Sequence, residues 1–309
     1  MILQATSQSE APTTASRPEA WRSSFAVAGL SLGLSAAESR LARLAPALEP
    51  FAVDRPQCEL EIQAGWVERL APAAGPPLFD SGAVWTARET QEGLAFDLAS
   101  PALDPLPYKR LLVDRGFSRA QLLLSRAVLA RTADWFPLEY PLDELLVTHL
   151  LSGAAGVEIH GCGLVDSGSG AHLFVGHSGA GKTTTARLWA GRSGVEVLSD
   201  DRVILRVLPE GIRMFGTPWH GEGCYAAPGS ARLHRIFILE HGRQNEITLL
   251  PPGAAAAELF ARLFVPFYSP PRLEAALAVV ARIADLLPCY RFRFRAEASA
   301  VERVKTFHD

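Results

Sequence analysis

The sequence predicts an α/β domain with a mixed sheet over residues 151–309, preceded by a β-rich accessory domain over 21–150 and a disordered leader over 1–20. Three observations carry this. Gly176-His177-Ser178-Gly179-Ala180-Gly181-Lys182-Thr183 stands between an apolar strand and a helix-forming stretch, which is the strand-loop-helix order of an α/β unit. Upstream, apolar residues recur at every second position, as in Leu60, Ile62 and Ala64 and again in Leu94, Phe96 and Leu98. The first twenty residues are rich in Ser, Thr, Gln, Ala and Pro and have no period, so they lack the apolar surface that ordering a chain requires.

In the accessory domain, Cys58 to Ala64 reads as a strand, and Leu94 to Leu98 follows the turn Gln91-Glu92-Gly93. Leu111 to Val113, Asp114-Arg115-Gly116 and Phe117 onward read as a second hairpin. A helix is expected around Ala36 to Ala45, and Pro101, Pro105 and Pro107 mark an exposed connection. The helix over Pro141 to Leu151 has proline in its first turn, Asp143 and Glu144 at its positive end and Gly153 just beyond, and the domain boundary is set beside it. Strands are then predicted at 157–160, 163–165 and 172–175, and a helix from Lys182 to about Ala190. Strands at 195–198, 202–208, 212–215 and 235–239 follow, then helices at 254–264 and 272–287, a strand at 289–294 and a last helix from Ala296.

Composition excludes several classes. A net charge of -3 and a pI near 6.3 argue against nucleic acid as the main partner, because duplex binding needs a basic face. Cys58, Cys162, Cys224 and Cys289 form no C-x-x-C pair, so no zinc or disulfide framework is indicated and a cytoplasmic location is expected. Mean hydropathy is +0.11, yet no apolar run approaches the roughly 18 residues of a spanning helix, so no membrane partner is expected. Phe25 to Ala37 has the outline of a signal-peptide apolar region, but Glu10 and Glu19 cancel Arg17 and Arg22 ahead of it.

The glycine-rich pattern is the sharpest signal. Glycines let consecutive N–H groups curl around phosphate oxygens, and the following helix aims its positive end at the same anion. Lys182 offers an ammonium to the β- and γ-phosphates, and the Thr183 hydroxyl, with Thr184 beside it, offers an oxygen to Mg²⁺. With Lys109, Lys182 and Lys305 the only lysines among 30 basic residues, chance supplies about 0.002 such matches per chain of this length.

Asp200-Asp201 follow Lys182 by 18 residues (200 minus 182), a distance used up by one helix and a short turn, so the next strand can bring its acids back beside the loop. Paired acids there suit phosphoryl transfer, one on the attacking hydroxyl and one on the metal side. An Asp-Asp pair also suits a hairpin turn. The segment Gly216-Thr217-Pro218-Trp219-His220-Gly221-Glu222-Gly223 likewise has two readings, a loop bringing Glu222 to a metal or substrate and a tight turn plugged by Trp219. Arg202, Arg213 and Arg232 are candidates for stabilising transferred charge.

His160-Gly161, the loop Gly176 to Thr183 and Leu198-Ser199-Asp200-Asp201-Arg202-Val203 together resemble the catalytic domain of bacterial HPr kinase/phosphorylase, which shares its fold with phosphoenolpyruvate carboxykinases. The resemblance covers about 156–208 well and the rest of the second half loosely. Arg235 to Glu240 and Pro288 to Phe294 look more like the uncharacterised HPr-kinase-related proteins. What the resemblance implies is an ATP-dependent serine kinase of a protein or peptide. Its catalytic set is Asp200 as base, His160 beside the transferred phosphate and Lys182. The glycine-rich motif itself places ATP on Gly176 to Thr184 and Mg²⁺ on Thr183, the resemblance adds Asp201 on the metal side, and Glu222 is a further metal candidate from the reading of the 216–223 loop. The resemblance also implies a homo-oligomer. The loop after Phe215 departs from the family, and the first half shows no likeness to the usual partner domain, so HPr itself is not supported as substrate. Two other readings use the same residues, an ATP-binding regulatory or scaffold module with little catalysis and a small-molecule kinase.

Overall fold

A computed structural model describes residues 20–72, 75–82 and 84–308. The predicted leader therefore lies outside the described residues except for Ala20. The fold is α/β with mixed sheets. Among the described residues no helix is long and apolar enough to cross a membrane.

The first sheet holds eight strands: β1 (Trp21–Val27), β2 (Leu30–Ala36), β3 (Leu60–Val67), β4 (Phe79–Asp80), β5 (Trp85–Glu89), β6 (Gly93–Ser100), β7 (Asp104–Asp114) and β8 (Arg119–Ser125). Their order is β1-β2-β3-β8-β7-β6-β5-β4, with β2, β3 and β8 parallel and the other neighbours antiparallel. The apolar run from Phe25 is thus a hairpin, turning at Ala28 and Gly29, which both take positive φ. The expected helix at 36–45 is a single 3-10 turn, Ser39–Ala42, because β2 runs through Ala36 and only Leu41 and Ala42 find a buried face. Pro105 and Pro107 lie inside β7 rather than in a connection. The pairing with β6 jumps there from Leu98 opposite Lys109 to Ser100 opposite Asp104, so neither proline interrupts a ladder.

A short helix α1 (Arg126–Leu129) leads to α2 (Leu142–Gly153). The second sheet then comprises β9 (Gly156–Asp166), β10 (Gly170–Val175), β11 (Val195–Ser199), β12 (Arg202–Leu208), β13 (Gly211–Phe215), β14 (Ser230–His241), β15 (Glu246–Leu249), β16 (Leu263–Phe264) and β17 (Cys289–Phe294). Four helices accompany it: α3 (Lys182–Trp189), α4 (Pro252–Phe260), α5 (Pro270–Leu286) and α6 (Ala298–Lys305). Strands β10 and β17 run parallel to β14, and β9 pairs antiparallel with β10, β11, β12 and β16.

Two of the predicted strands are one. β9 continues through Gly161 and Gly163, which lie where a side chain would press on Leu173 and Met214. Along its other edge β11 and β12 form a single line: Ser199 is opposite Gly163, Arg202 is opposite His160, and the Gly161 N–H donates to the Asp201 carbonyl at 2.9 Å. Asp200-Asp201 therefore sit at a kink in a continuing strand, not in a hairpin turn.

Both faces of this sheet are covered. Leu173, Val175, Ile236 and Ile238 pack with Leu259, Val280 and Ile283 of α4 and α5. Phe174, Phe237 and Leu239 pack with Ala186 and Trp189 of α3 and Val301 and Val304 of α6. Burial on both sides explains the unbroken apolar runs at 173–175 and 236–239. A third cluster joins the two halves, since Ile204, Trp219 and Tyr268 pack with Phe96, Phe117, Leu142 and Leu146.

Candidate functional site

The glycine-rich loop leaves β10 at Gly176, directly after Val175 is lost to the core. Gly181 precedes α3 at φ 103, and a Cβ there would lie 2.6 Å from the Phe294 ring on β17, so the position demands glycine twice over. The first helical bond runs from Thr185 N–H to Gly181 O at 2.8 Å, so the N–H groups of Lys182, Thr183 and Thr184 have no helical acceptor and open toward the loop. His241 of β14 steadies the opposite rim, its Nε2 2.9 Å from the Gly179 carbonyl.

Lys182 is 6% exposed and donates to the carbonyls of Gly176 and His177, both at 3.0 Å. Burial pulls its ammonium below the usual lysine range, against the charge of Asp201. Its partners are neutral carbonyls of the loop, so no carboxylate has to be stripped away for it to meet an anion.

The two acids at the kink have different surroundings. Asp200 is 1% exposed, and both of its oxygens are occupied. Oδ1 accepts from the N–H groups of Gly221 at 3.0 Å and Tyr225 at 3.4 Å, and Oδ2 from Gly223 N–H at 2.8 Å and the Thr183 hydroxyl at 3.2 Å. A Cβ on Gly223 would stand 2.6 Å from that Oδ2, so glycine is what lets the loop wrap the carboxylate. Asp201 faces outward instead. Its Oδ1 lies 3.2 Å from His160 Nδ1, and its Oδ2 accepts from Arg202 Nη1 at 2.6 Å. Burial pushes the Asp201 carboxyl up, but the His160 hydrogen bond and the charges of Arg202 and Lys182 outweigh it and hold the group below its ordinary range. With Nδ1 turned to Asp201, the other ring nitrogen of His160 is the one left for a ligand.

These groups line one polar cleft of about 480 Å³. Its walls are the loop from Ser178, the first turn of α3 with Arg187, the Asp201–His160 pair and Glu222. Of the residues singled out from sequence, Asp200 lies beneath this wall, Gly176 is buried at the end of β10, Ala180 packs into the core beside α3, and His177 is exposed with its Nδ1 on the Ser178 carbonyl. In the 216–223 segment Trp219 is buried, while Gly221 and Glu222 line the cleft. Arg213 bonds Ser230 on the β13–β14 edge, opposite Arg232 and away from the cleft.

Sequence reasoning missed a buried network behind Asp201. The Arg202 guanidinium also pairs with Glu144 at the start of α2, lies 3.7 Å from Glu158 on β9, and covers the rings of Tyr140 and Phe264 at 5.3 and 4.7 Å. Glu158 is 0% exposed and accepts from the Thr148 hydroxyl at 2.8 Å. Burial and then the neighbouring Glu144 push its carboxyl well up. In the sequence Glu144 is indistinguishable from any acid in a helix's first turn.

Among the described residues no three His, Cys, Asp or Glu side chains converge as a metal cage. The Thr183 hydroxyl instead offers a hard oxygen to the cleft, steadied from behind by Asp200 and next to the N–H groups that open the helix. That donor fits Mg²⁺, which takes few protein ligands and keeps water or phosphate oxygens. No protein-family model matches the chain, and no curated protein matches it.

Proposed function

We propose that the protein is an ATP-dependent kinase of the P-loop type that transfers the γ-phosphate to a hydroxyl, most simply a serine of a protein or peptide. The observation that carries the reading is the convergence of Lys182, Thr183, Asp201 and His160, from α3, the kink and β9, on one polar cleft beside a glycine-rich loop. Bound Mg²⁺-ATP supplies the transferable phosphoryl group and the charge neutralisation around it. Ser178 to Thr184 cradle the phosphates with backbone N–H groups and the helix's positive end, and Lys182 adds its ammonium.

The parts of the two acids are exchanged relative to the sequence expectation. Asp200, with Thr183 on one oxygen and backbone N–H groups on both, holds the metal side in place and has no face to offer a substrate. Asp201 is the proton acceptor. Its carboxylate is ionised at neutral pH and fixed on one side by His160 and on the other by Arg202, so it orients the acceptor hydroxyl as much as it deprotonates it. Lys182 and the His160 ring flank the point where charge develops. Glu222, exposed at the cleft lip, is the remaining acid in reach.

Thermal melting tests the foundation of this reading. Mg²⁺-ATP is expected to raise the melting temperature of the full chain, and Lys182→Ala to abolish the shift without lowering the unliganded melting point by more than a few degrees. An unchanged shift in that variant overturns it.

A further inference from the structure

A second cleft, of about 330 Å³, adjoins the polar one and is built from both halves of the chain. Phe79 and Trp85, from β4 and β5 of the first sheet, form one wall; Phe264, Phe267 and Tyr268 form the facing wall; Tyr140 and Leu145 close the side along α2. The rings of the walls touch one another. Phe79 stacks on Trp85 at 4.7 Å, and Trp85 meets Tyr268 edge-on at 6.1 Å. Two of its lining rings reach solvent, Tyr140 at 57% and Phe267 at 61% exposure.

This cleft shares a boundary with the polar one. The Phe264 ring stands edge-on to His160 at 6.1 Å, and Arg202, which holds Asp201, lies between Phe264 and Tyr140. A ligand with its hydroxyl at Asp201 and His160 is therefore one ring's width from an apolar recess. A peptide advances by about 3.3 Å per residue, so a side chain one or two residues from the hydroxyl reaches the recess.

We propose that this cleft is the acceptor-specificity site, and that it takes an aromatic side chain lying one or two residues from the phosphorylated serine. The proposal rests on the kinase reading for what lies next door and names its substrate class. An aromatic occupant is favoured over an aliphatic one because five rings and the Tyr140 phenol line the space, which suits edge-to-face and offset packing of another ring. A cationic occupant is disfavoured. The one acid on the wall, Glu144, is already paired with Arg202. The first sheet thereby has a part in recognition, supplying the ring faces of Phe79 and Trp85 rather than any group that reacts.

The test is direct binding, which needs no phosphoryl transfer. Capped pentapeptides with a central serine, carrying phenylalanine or alanine two residues on, are titrated calorimetrically into the full chain saturated with a non-hydrolysable ATP analogue and Mg²⁺. The phenylalanine peptide is expected to bind about tenfold or more tightly. Trp85→Ala, which opens the recess, and Leu145→Trp, which fills it, should each erase that preference while leaving the nucleotide-induced melting shift intact. Equal binding of the two peptides, no binding of either, or a preference that survives both variants overturns the proposal. A melting shift that persists alongside any of these results leaves the nucleotide site standing, whereas aromatic preference without transfer to the peptide tells against the kinase reading alone.

Discussion

The Thr183 hydroxyl donates to Asp200 Oδ2 at 3.2 Å, tying the first turn of α3 to the kink between β11 and β12. The same carboxylate collects the N–H groups of Gly221, Gly223 and Tyr225, so one buried acid joins three chain segments. Its neighbour Asp201 shares none of these donors. The two acids should therefore fail in different ways when changed.

Asp200→Asn replaces one acceptor oxygen with an amide that faces N–H donors. A loss of about 2 to 3 kcal/mol in unfolding free energy is expected, together with loss of the nucleotide-induced melting shift. Denaturant titration with and without Mg²⁺-ATP measures both.

Asp201→Asn is expected to leave stability and nucleotide binding near those of the parent and to lower kcat for transfer by about 100-fold or more. Steady-state kinetics with a serine peptide separates the two acids. Equal losses in both variants would contradict the division of labour.

Arg202 is a positioning residue. Arg202→Gln leaves Asp201, Glu144 and Glu158 facing one another without a cation, which should cost about 3 to 5 kcal/mol. In chain that still folds, kcat should fall while KM for ATP holds, because the guanidinium touches Asp201 and not the glycine-rich loop. Arg202→Lys should rescue stability in part but not the rate, since a point charge cannot bridge acids on several sides.

The glycine-rich loop and the Asp pair were legible because both are local. A contiguous pattern fixes the first, and an 18-residue interval filled by one helix fixes the second. Which acid faces outward was not legible, because it depends on the loop at 221–225 closing over Asp200, a contact made 21 to 25 residues later in the chain. Glu144 and Glu158 carry no sequence mark either: one looks like a helix-dipole acid, and the other is a lone charge in an apolar strand whose meaning appears only when α2 packs on β9. The expected interval between strands at 157–160 and 163–165 is absent, and Gly161 and Gly163 lie within one strand where a side chain would crowd Leu173 and Met214.

Two buried histidines add to the acid sensitivity of the fold. Burial, and then the charge of Arg272, pulls His149 down to about 3; burial, and then the charges of Arg235 and His234, pulls His172 down to about 4. Both rings are neutral when folded, so the unfolded chain binds more protons below its own pKa near 6.5, and stability falls as pH drops from there toward the folded values. Asp143, raised to about 6 chiefly by burial, opposes this between pH 6 and its unfolded value of 3.8. Each histidine contributes about 2 kcal/mol of loss between pH 6.5 and 5. Denaturant titrations at those two pH values should show a smaller difference in His149→Phe than in the parent.

The central claim is phosphoryl transfer from this cleft. Purified full chain, Mg²⁺ and γ-labelled ATP are incubated with a serine-centred peptide pool carrying aromatic neighbours, and peptide-bound phosphate is quantified and assigned to residue by mass spectrometry. Phosphoserine is expected with the parent chain, none with Lys182→Ala, and about 100-fold less with Asp201→Asn although that variant still binds nucleotide. Nucleotide binding with no labelled serine, or equal labelling by the parent and Asp201→Asn, would contradict the claim.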